Sequence, residues 1–255
     1  MTSLTDLLIV VVSGILAGGV NAIAGGGTLI SFPALLAIGM PPVAANVTSR
    51  VGLVSGYAGG AMGYRRELAG LGRQALFFSV AATIGGIAGA VVLLVTPARS
   101  FRVVVPYLVL LSCLLLAVQP RVSRWLAGRS HTSRGPGHRR PLVHAGVFIS
   151  GAYASYFGAG VGVLLLAIFG ILLDEDIQRL NGLKNVLILV ANMLGVLIFA
   201  FSGQVDWLAA AILIVTAYLG GLLGARLARR LNPATLRQAV IWFGVIVAVA
   251  LFVTA

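Results

Sequence analysis

Ten apolar runs fill most of this chain, and nearly all its charged side chains lie in the gaps between them. The first half holds runs at 7–24, 28–38, 45–62, 75–95 and 103–118, and the second at 142–157, 161–173, 183–201, 208–225 and 240–253. Only 9% of residues are charged, against about 25% in a soluble domain. Mean hydropathy is +1.05. No soluble fold hides that much apolar surface, so the chain reads as an all-α integral membrane protein in contact with the lipid bilayer. The formal charge of +12 invites a nucleic-acid partner. That reading fails, because the basic residues sit between apolar runs rather than on one polar face.

The cations cluster. Thirteen of the seventeen arginines occupy three loops: Arg65, Arg66 and Arg73; Arg121, Arg124, Arg129, Arg134, Arg139 and Arg140; and Arg226, Arg229, Arg230 and Arg237. Such loops face the cytoplasm in membrane proteins. Placing all three there gives five passes per half, counting each short run with its partner. Both termini then lie outside, and the linker 119–141 lies inside. This scheme puts Arg99 and Arg102 outside and the acidic Asp174, Glu175 and Asp176 inside. The start, MTSLTD, has no basic leader, so the first run is expected to remain as a membrane span.

Two runs, 28–38 and 161–173, are too short to cross. A helix rises about 1.5 Å per residue, so a dozen residues reach about 18 Å against a hydrocarbon core of about 30 Å. The first short run follows Gly25, Gly26 and Gly27 and closes on Gly39, Pro41 and Pro42; the second follows Gly158, Ala159 and Gly160. Each is expected to form a broken or re-entrant helix. Such backbone survives at membrane depth only when buried in protein or lining a cavity.

The halves match in order. Gly18, Gly25 and Gly27 match Gly151, Gly158 and Gly160 at an offset of 133; Asn46 matches Asn181 at 135. At that second offset, Gly85, Gly86, Gly89 and Ala90 match Gly220, Gly221, Gly224 and Ala225. The expected organisation is a first repeat (1–118), a basic linker (119–141) and a second repeat (142–255). An odd number of passes inverts one repeat relative to the other, a recurrent plan of secondary transporters that hold solute near the midplane.

Just after each short run comes the same polar triple: Asn46, Ser49 and Arg50, then Asn181, Lys184 and Asn185. The i, i+3, i+4 spacing puts each triple on one helix face, and Asn192 extends the second stripe. A cation within a span costs at least about 2.5–3.5 kcal/mol, so it normally faces a cavity or partner. The alternative is that Arg50 and Lys184 lie shallow and extend to the headgroups. A helix starting at Thr28 would leave its first N–H groups unpaired and able to hold an anion. Asn21, Thr28, Asn46 and Thr48 add neutral hydrogen-bonding groups. The later glycine pairs read instead as helix-packing positions.

The six acids all lie at run ends or in loops. Cation pumps and proton relays usually carry one mid-span, so a cation transporter is disfavoured. No H-E-x-x-H, G-x-S-x-G or P-loop pattern occurs, which leaves enzyme readings without support. His131, His138 and His144 lack the spacing of a metal site, and Cys113 has no disulfide partner. No cofactor or metal is expected.

The run AGGVNAIAGGGTLISFPALLAIGMPPVAANVTS resembles the first signature of the sulfite exporter TauE/SafE family, and the resemblance covers essentially the whole chain. In the second half Ala159 replaces the middle glycine, Leu166 stands opposite Pro33, and Leu183-Lys184 stands opposite Thr48-Ser49. The resemblance implies export or uptake of small anions, often sulfur oxyanions or organosulfonates such as sulfite and sulfoacetate. The expected protein is a secondary transporter of a small anion working by alternating access. An uncoupled anion channel is the alternative, with a membrane-embedded enzyme behind it. The expected contacts with solute are Asn21, Gly25, Gly26, Gly27, Thr28, Asn46, Thr48, Ser49, Arg50, Gly158, Gly160, Asn181, Lys184 and Asn185. A homo-oligomer is compatible with this scheme.

Overall fold

The computed structural model describes residues 3–24, 26–63, 68–127, 140–173, 175–227 and 233–254. Gly25, Arg65, Arg66, Glu67, Asp174 and linker residues 128–139, with His131 and His138, lie outside them, as do Arg229 and Arg230. Ten helices account for almost all the described residues, which include no strand. They are α1 (Leu4–Ala24), α2 (Thr28–Ala37), α3 (Pro42–Gly63), α4 (Gly72–Val95), α5 (Ala98–Ala127), α6 (Arg140–Tyr156), α7 (Val161–Leu172), α8 (Ile177–Ala200), α9 (Trp207–Leu227) and α10 (Pro233–Thr254). Four, namely α1, α4, α5 and α8, are long and apolar enough to cross a membrane by length and composition.

Local chemistry sets the helix ends. Ser3 and Asp6 cap each other's backbone N–H groups at the start of α1, at 3.1 and 3.3 Å. Helix α2 stops because Gly39 adopts φ +86, which lets its N–H reach the Leu36 carbonyl at 2.9 Å and the Met40 N–H reach the Leu35 carbonyl at 3.2 Å. Pro42 then opens α3, where its missing N–H costs nothing. At the start of α9, Asp206 accepts the Ala209 N–H at 2.9 Å.

Most helices extend beyond the apolar runs. The clearest case is α5, which continues through Pro120 to Ala127, so the first nine residues of the expected linker are helical. The reason is packing: Val118 and Val122, one turn apart, sit on the core, while Arg121 and Arg124 face outward.

Large apolar side chains cover much of the exterior, and several polar groups lie inside. Leu76, Ile84, Ile149, Trp242 and Ile246 are exposed. Ser31, Asn46, Thr48, Ser49 and Arg50 are buried. Helices meet at small residues. A Cβ on Gly18 of α1 would strike the Ala217 carbonyl of α9, and one on Gly151 of α6 the Ala82 carbonyl of α4. Likewise Gly220 lies on the Ile15 carbonyl and Gly85 on the Phe148 carbonyl. Phe32 of the short helix α2 meets Phe157, in the turn between α6 and α7, edge-on, with ring centroids 5.7 Å apart. Helix α3 packs on α8.

Candidate functional site

The polar stripe of α3 faces the end of α6. Arg50, 3% exposed, lies at the ninth position of a 22-residue helix and does not extend outward. Its Nη1 donates to the Ala154 carbonyl and, at 3.0 Å, to Asn192 Oδ1. One turn earlier, Asn46 Nδ2 donates to the Tyr156 carbonyl at 2.8 Å. Ala154 and Tyr156 lie in the last turn of α6, where carbonyls have no helical partner. Arg50 and Asn46 therefore cap a helix from the other half of the chain. The dipole of that helix end favours a cation there.

The caps are incomplete in one respect. Arg50 Nε and Nη2 are buried with no hydrogen-bond partner, and so is Asn46 Oδ1. Among the described residues no carboxylate pairs with Arg50; the ion pair seen there is Glu175–Arg179, at 2.6 Å, beside the start of α8. Burying a guanidinium with unpaired donors is costly unless another group completes its hydrogen bonds.

Gly158 and Gly160, at φ 67 and 77, form the turn between α6 and α7. A Cβ at Gly158 would collide with the Arg50 guanidinium, so only glycine leaves room for it. Sequence reasoning missed how this turn is held. Tyr153 Oη donates to the Ala159 carbonyl at 2.8 Å and pairs with Ser112 Oγ of α5 at 3.0 Å. The repeat hides Tyr153, since its counterpart in the first half is Val20. Tyr57 and Tyr153 both stand within electrostatic reach of Arg50.

The second stripe is arranged differently. Lys184 is half-buried, donates to Asn181 Oδ1 at 3.0 Å and lays its stem along Gly162 of α7. Asn181 and Asn185 are half-buried too. Lys184 precedes Asn192, the Arg50 partner, by eight residues, or about 12 Å along α8. The two cations thus approach the α6–α7 turn from separate levels, and no bond joins them among the described residues.

The first glycine turn departs from expectation. Gly26 packs on Leu116, and Gly27 on the Ala17 carbonyl. Gly27 N–H donates to Asn21 Oδ1 at 3.2 Å. The Leu29, Ile30 and Ser31 amides bond to the Gly26 and Gly27 carbonyls at 2.9–3.1 Å. The start of α2 therefore does not present a row of bare amides; its glycines serve close packing. Thr28 is buried there, and Asn21 keeps one unpartnered atom, Nδ2. Ser49 pairs with Ser31 at 2.6 Å. Thr48, on another face of α3, accepts the Asp206 N–H at 3.0 Å and so anchors the start of α9.

The sequence pattern of the sulfite exporter TauE/SafE family matches residues 10–251. The chain belongs to this family. Relatives of this TauE/SafE protein include the "probable membrane transporter protein YfcA" of Escherichia coli strain K12, 29% identical over 83% of this chain and 77% of the relative. A "probable membrane transporter protein" of Haemophilus influenzae is 25% identical over 89% of this chain and 87% of its own length. A third, "probable membrane transporter protein ORF9" of Sinorhizobium sp, is 23% identical over 85% and 81% respectively. No solved structure matches. The protein is thus a TauE/SafE-family membrane transporter, and Arg50 is a buried cation in its interior.

Proposed function

We propose that this TauE/SafE protein is a secondary transporter of a small anion, a sulfur oxyanion or organosulfonate such as sulfite or sulfoacetate, in the bacterial inner membrane. The observation that carries this is Arg50: buried, without a carboxylate partner among the described residues, and with Nε and Nη2 open. Asn21, Asn46, Gly158 and Gly160 flank the anion. Lys184, with Asn181 and Asn185, attracts it from a more accessible level of α8.

Alternating access would come from two inverted repeats, 1–118 and 142–255, joined by a cytoplasmic linker, with both termini outside. Reciprocal packing supports this. Helix α1 lies on α9 as α6 lies on α4; α3 lies on α9 as α8 lies on α4. The glycine contacts follow the same rule: Gly18–Ala217 corresponds to Gly151–Ala82, and Gly220–Ile15 to Gly85–Phe148, at the offsets that align the two halves.

Purified protein in sealed liposomes tests the proposal. Labelled sulfite or sulfoacetate should accumulate against its own gradient when an ion gradient is imposed, and Arg50→Gln should abolish accumulation. Uptake that neither saturates nor runs uphill would make the protein a channel. Absence of any Arg50-dependent anion flux would end the anion reading.

A further inference from the structure

We infer that the anion held at Arg50 also carries a hydroxyl group, recognised by Asn46; this rests on the anion site proposed above. Nη1 of Arg50 is committed to the Ala154 carbonyl and Asn192. The open nitrogens, Nε and Nη2, form one edge of the guanidinium. That edge meets two oxygens of a single carboxylate or sulfonate through parallel hydrogen bonds.

Asn46 stands four residues earlier on α3, so the two Cβ atoms are about 5–6 Å apart on one face. Both side chains reach the end of α6. Because Nδ2 is fixed on the Tyr156 carbonyl at 2.8 Å, the other amide atom is the oxygen. Oδ1 is buried without a partner on a residue that is 0% exposed. An amide oxygen only accepts. A bare oxyanion, which offers acceptors alone, leaves Oδ1 unsatisfied. The ligand that completes both groups has its acid on the guanidinium edge and a donor one helical turn away. An ammonium donor would stand beside the guanidinium with no carboxylate among the described residues to balance the two charges. A neutral O–H fits both neighbours.

The test compares matched ligands by titration calorimetry on the full chain in detergent: isethionate against ethanesulfonate, 3-hydroxypropionate against propionate, and taurine. Each hydroxylated ligand should bind about tenfold or more tighter than its partner, because the deoxy ligand leaves a buried acceptor unpaired. Taurine should bind no better than ethanesulfonate. Asn46→Leu should erase the difference within each pair, and Arg50→Gln should weaken all five ligands. The wild-type comparison needs no variant, so a misfolded Asn46→Leu does not block the test. Equal affinities within both pairs would overturn the hydroxyl inference while leaving the anion site standing. Taurine binding tighter than isethionate would also overturn it. No binding of any of the five would overturn the hydroxyl inference, and the anion site would fall with it only if sulfite and sulfoacetate also failed to bind.

Discussion

Two glycines two residues apart separate the guanidinium from the backbone as the source of anion affinity. Gly158 and Gly160 both have left-handed φ, so alanine at either position costs about 1–2 kcal/mol of backbone strain. Their surroundings differ. An added Cβ at Gly160 sits 3.2 Å from Leu115 Cβ, a contact that small shifts relieve. At Gly158 it occupies the space of Arg50 Nη1 and Nη2. Gly158→Ala therefore displaces the guanidinium as well as straining the chain. Losing charge-assisted hydrogen bonds worth about 1.5–3 kcal/mol weakens binding by about ten- to a hundredfold. Thermal unfolding in detergent should show both variants destabilised, Gly158→Ala the more so because the Ala154 carbonyl also loses its donor. Calorimetric titration with the best-binding anion should show the affinity loss for Gly158→Ala and less than threefold change for Gly160→Ala. An equal loss in both would mean that the turn's amides hold the anion, and Arg50 would revert to a helix cap.

Other substitutions probe the surroundings. Thr48→Val removes the acceptor for the Asp206 N–H and should cost about 1 kcal/mol of stability, read by thermal unfolding, with anion affinity unchanged. Gly18→Val and Gly151→Val should each abolish folded protein on size-exclusion chromatography, since both place a side chain on a backbone carbonyl; Gly221→Ala, 3.8 Å from its nearest contact, should be tolerated. Lys184→Gln should raise the KM for uptake several-fold with kcat kept, and the effect should shrink as salt rises, because a half-buried cation acts mainly by attraction over distance.

Membrane class, helix number and the two short helices were legible from apolar length and from glycine and proline placement. Helix ends were not. Helix α5 runs past its apolar stretch because Val118 and Val122 find the core, which is a tertiary fact. Arg50 stood out as a cation inside an apolar run, and its burial agrees with that signal. Its partners could not be foreseen, since the Ala154 carbonyl carries no side-chain signature. The glycines show the same limit. A glycine that packs on its neighbours and one that leaves room for a guanidinium have identical sequence signals, and only the neighbours Leu116 and Ala17 separate Gly26 and Gly27 from Gly158, which faces Arg50.

What balances Arg50 decides whether it can bind an anion at all. A carboxylate would neutralise it; a helix C-terminus supplies only about half a negative charge and leaves the rest available. Asn192 is the neutral group at the pivotal place, 3.0 Å from Nη1. Asn192→Asp changes little in shape and adds a full negative charge there, at the loss of one bond from Nδ2 to the Ile188 carbonyl, 2.8 Å long. The buried pair should keep the fold intact, because both charges then have partners. Anion affinity should fall more than tenfold, since the incoming ligand now meets a neutralised guanidinium and a nearby like charge. Asn192→Leu provides the contrast: it removes a neutral acceptor, leaves the charge uncompensated, and should retain most of the affinity. Should Asn192→Asp unfold no earlier than wild type and bind anions as tightly, the net charge on Arg50 is not what attracts the solute.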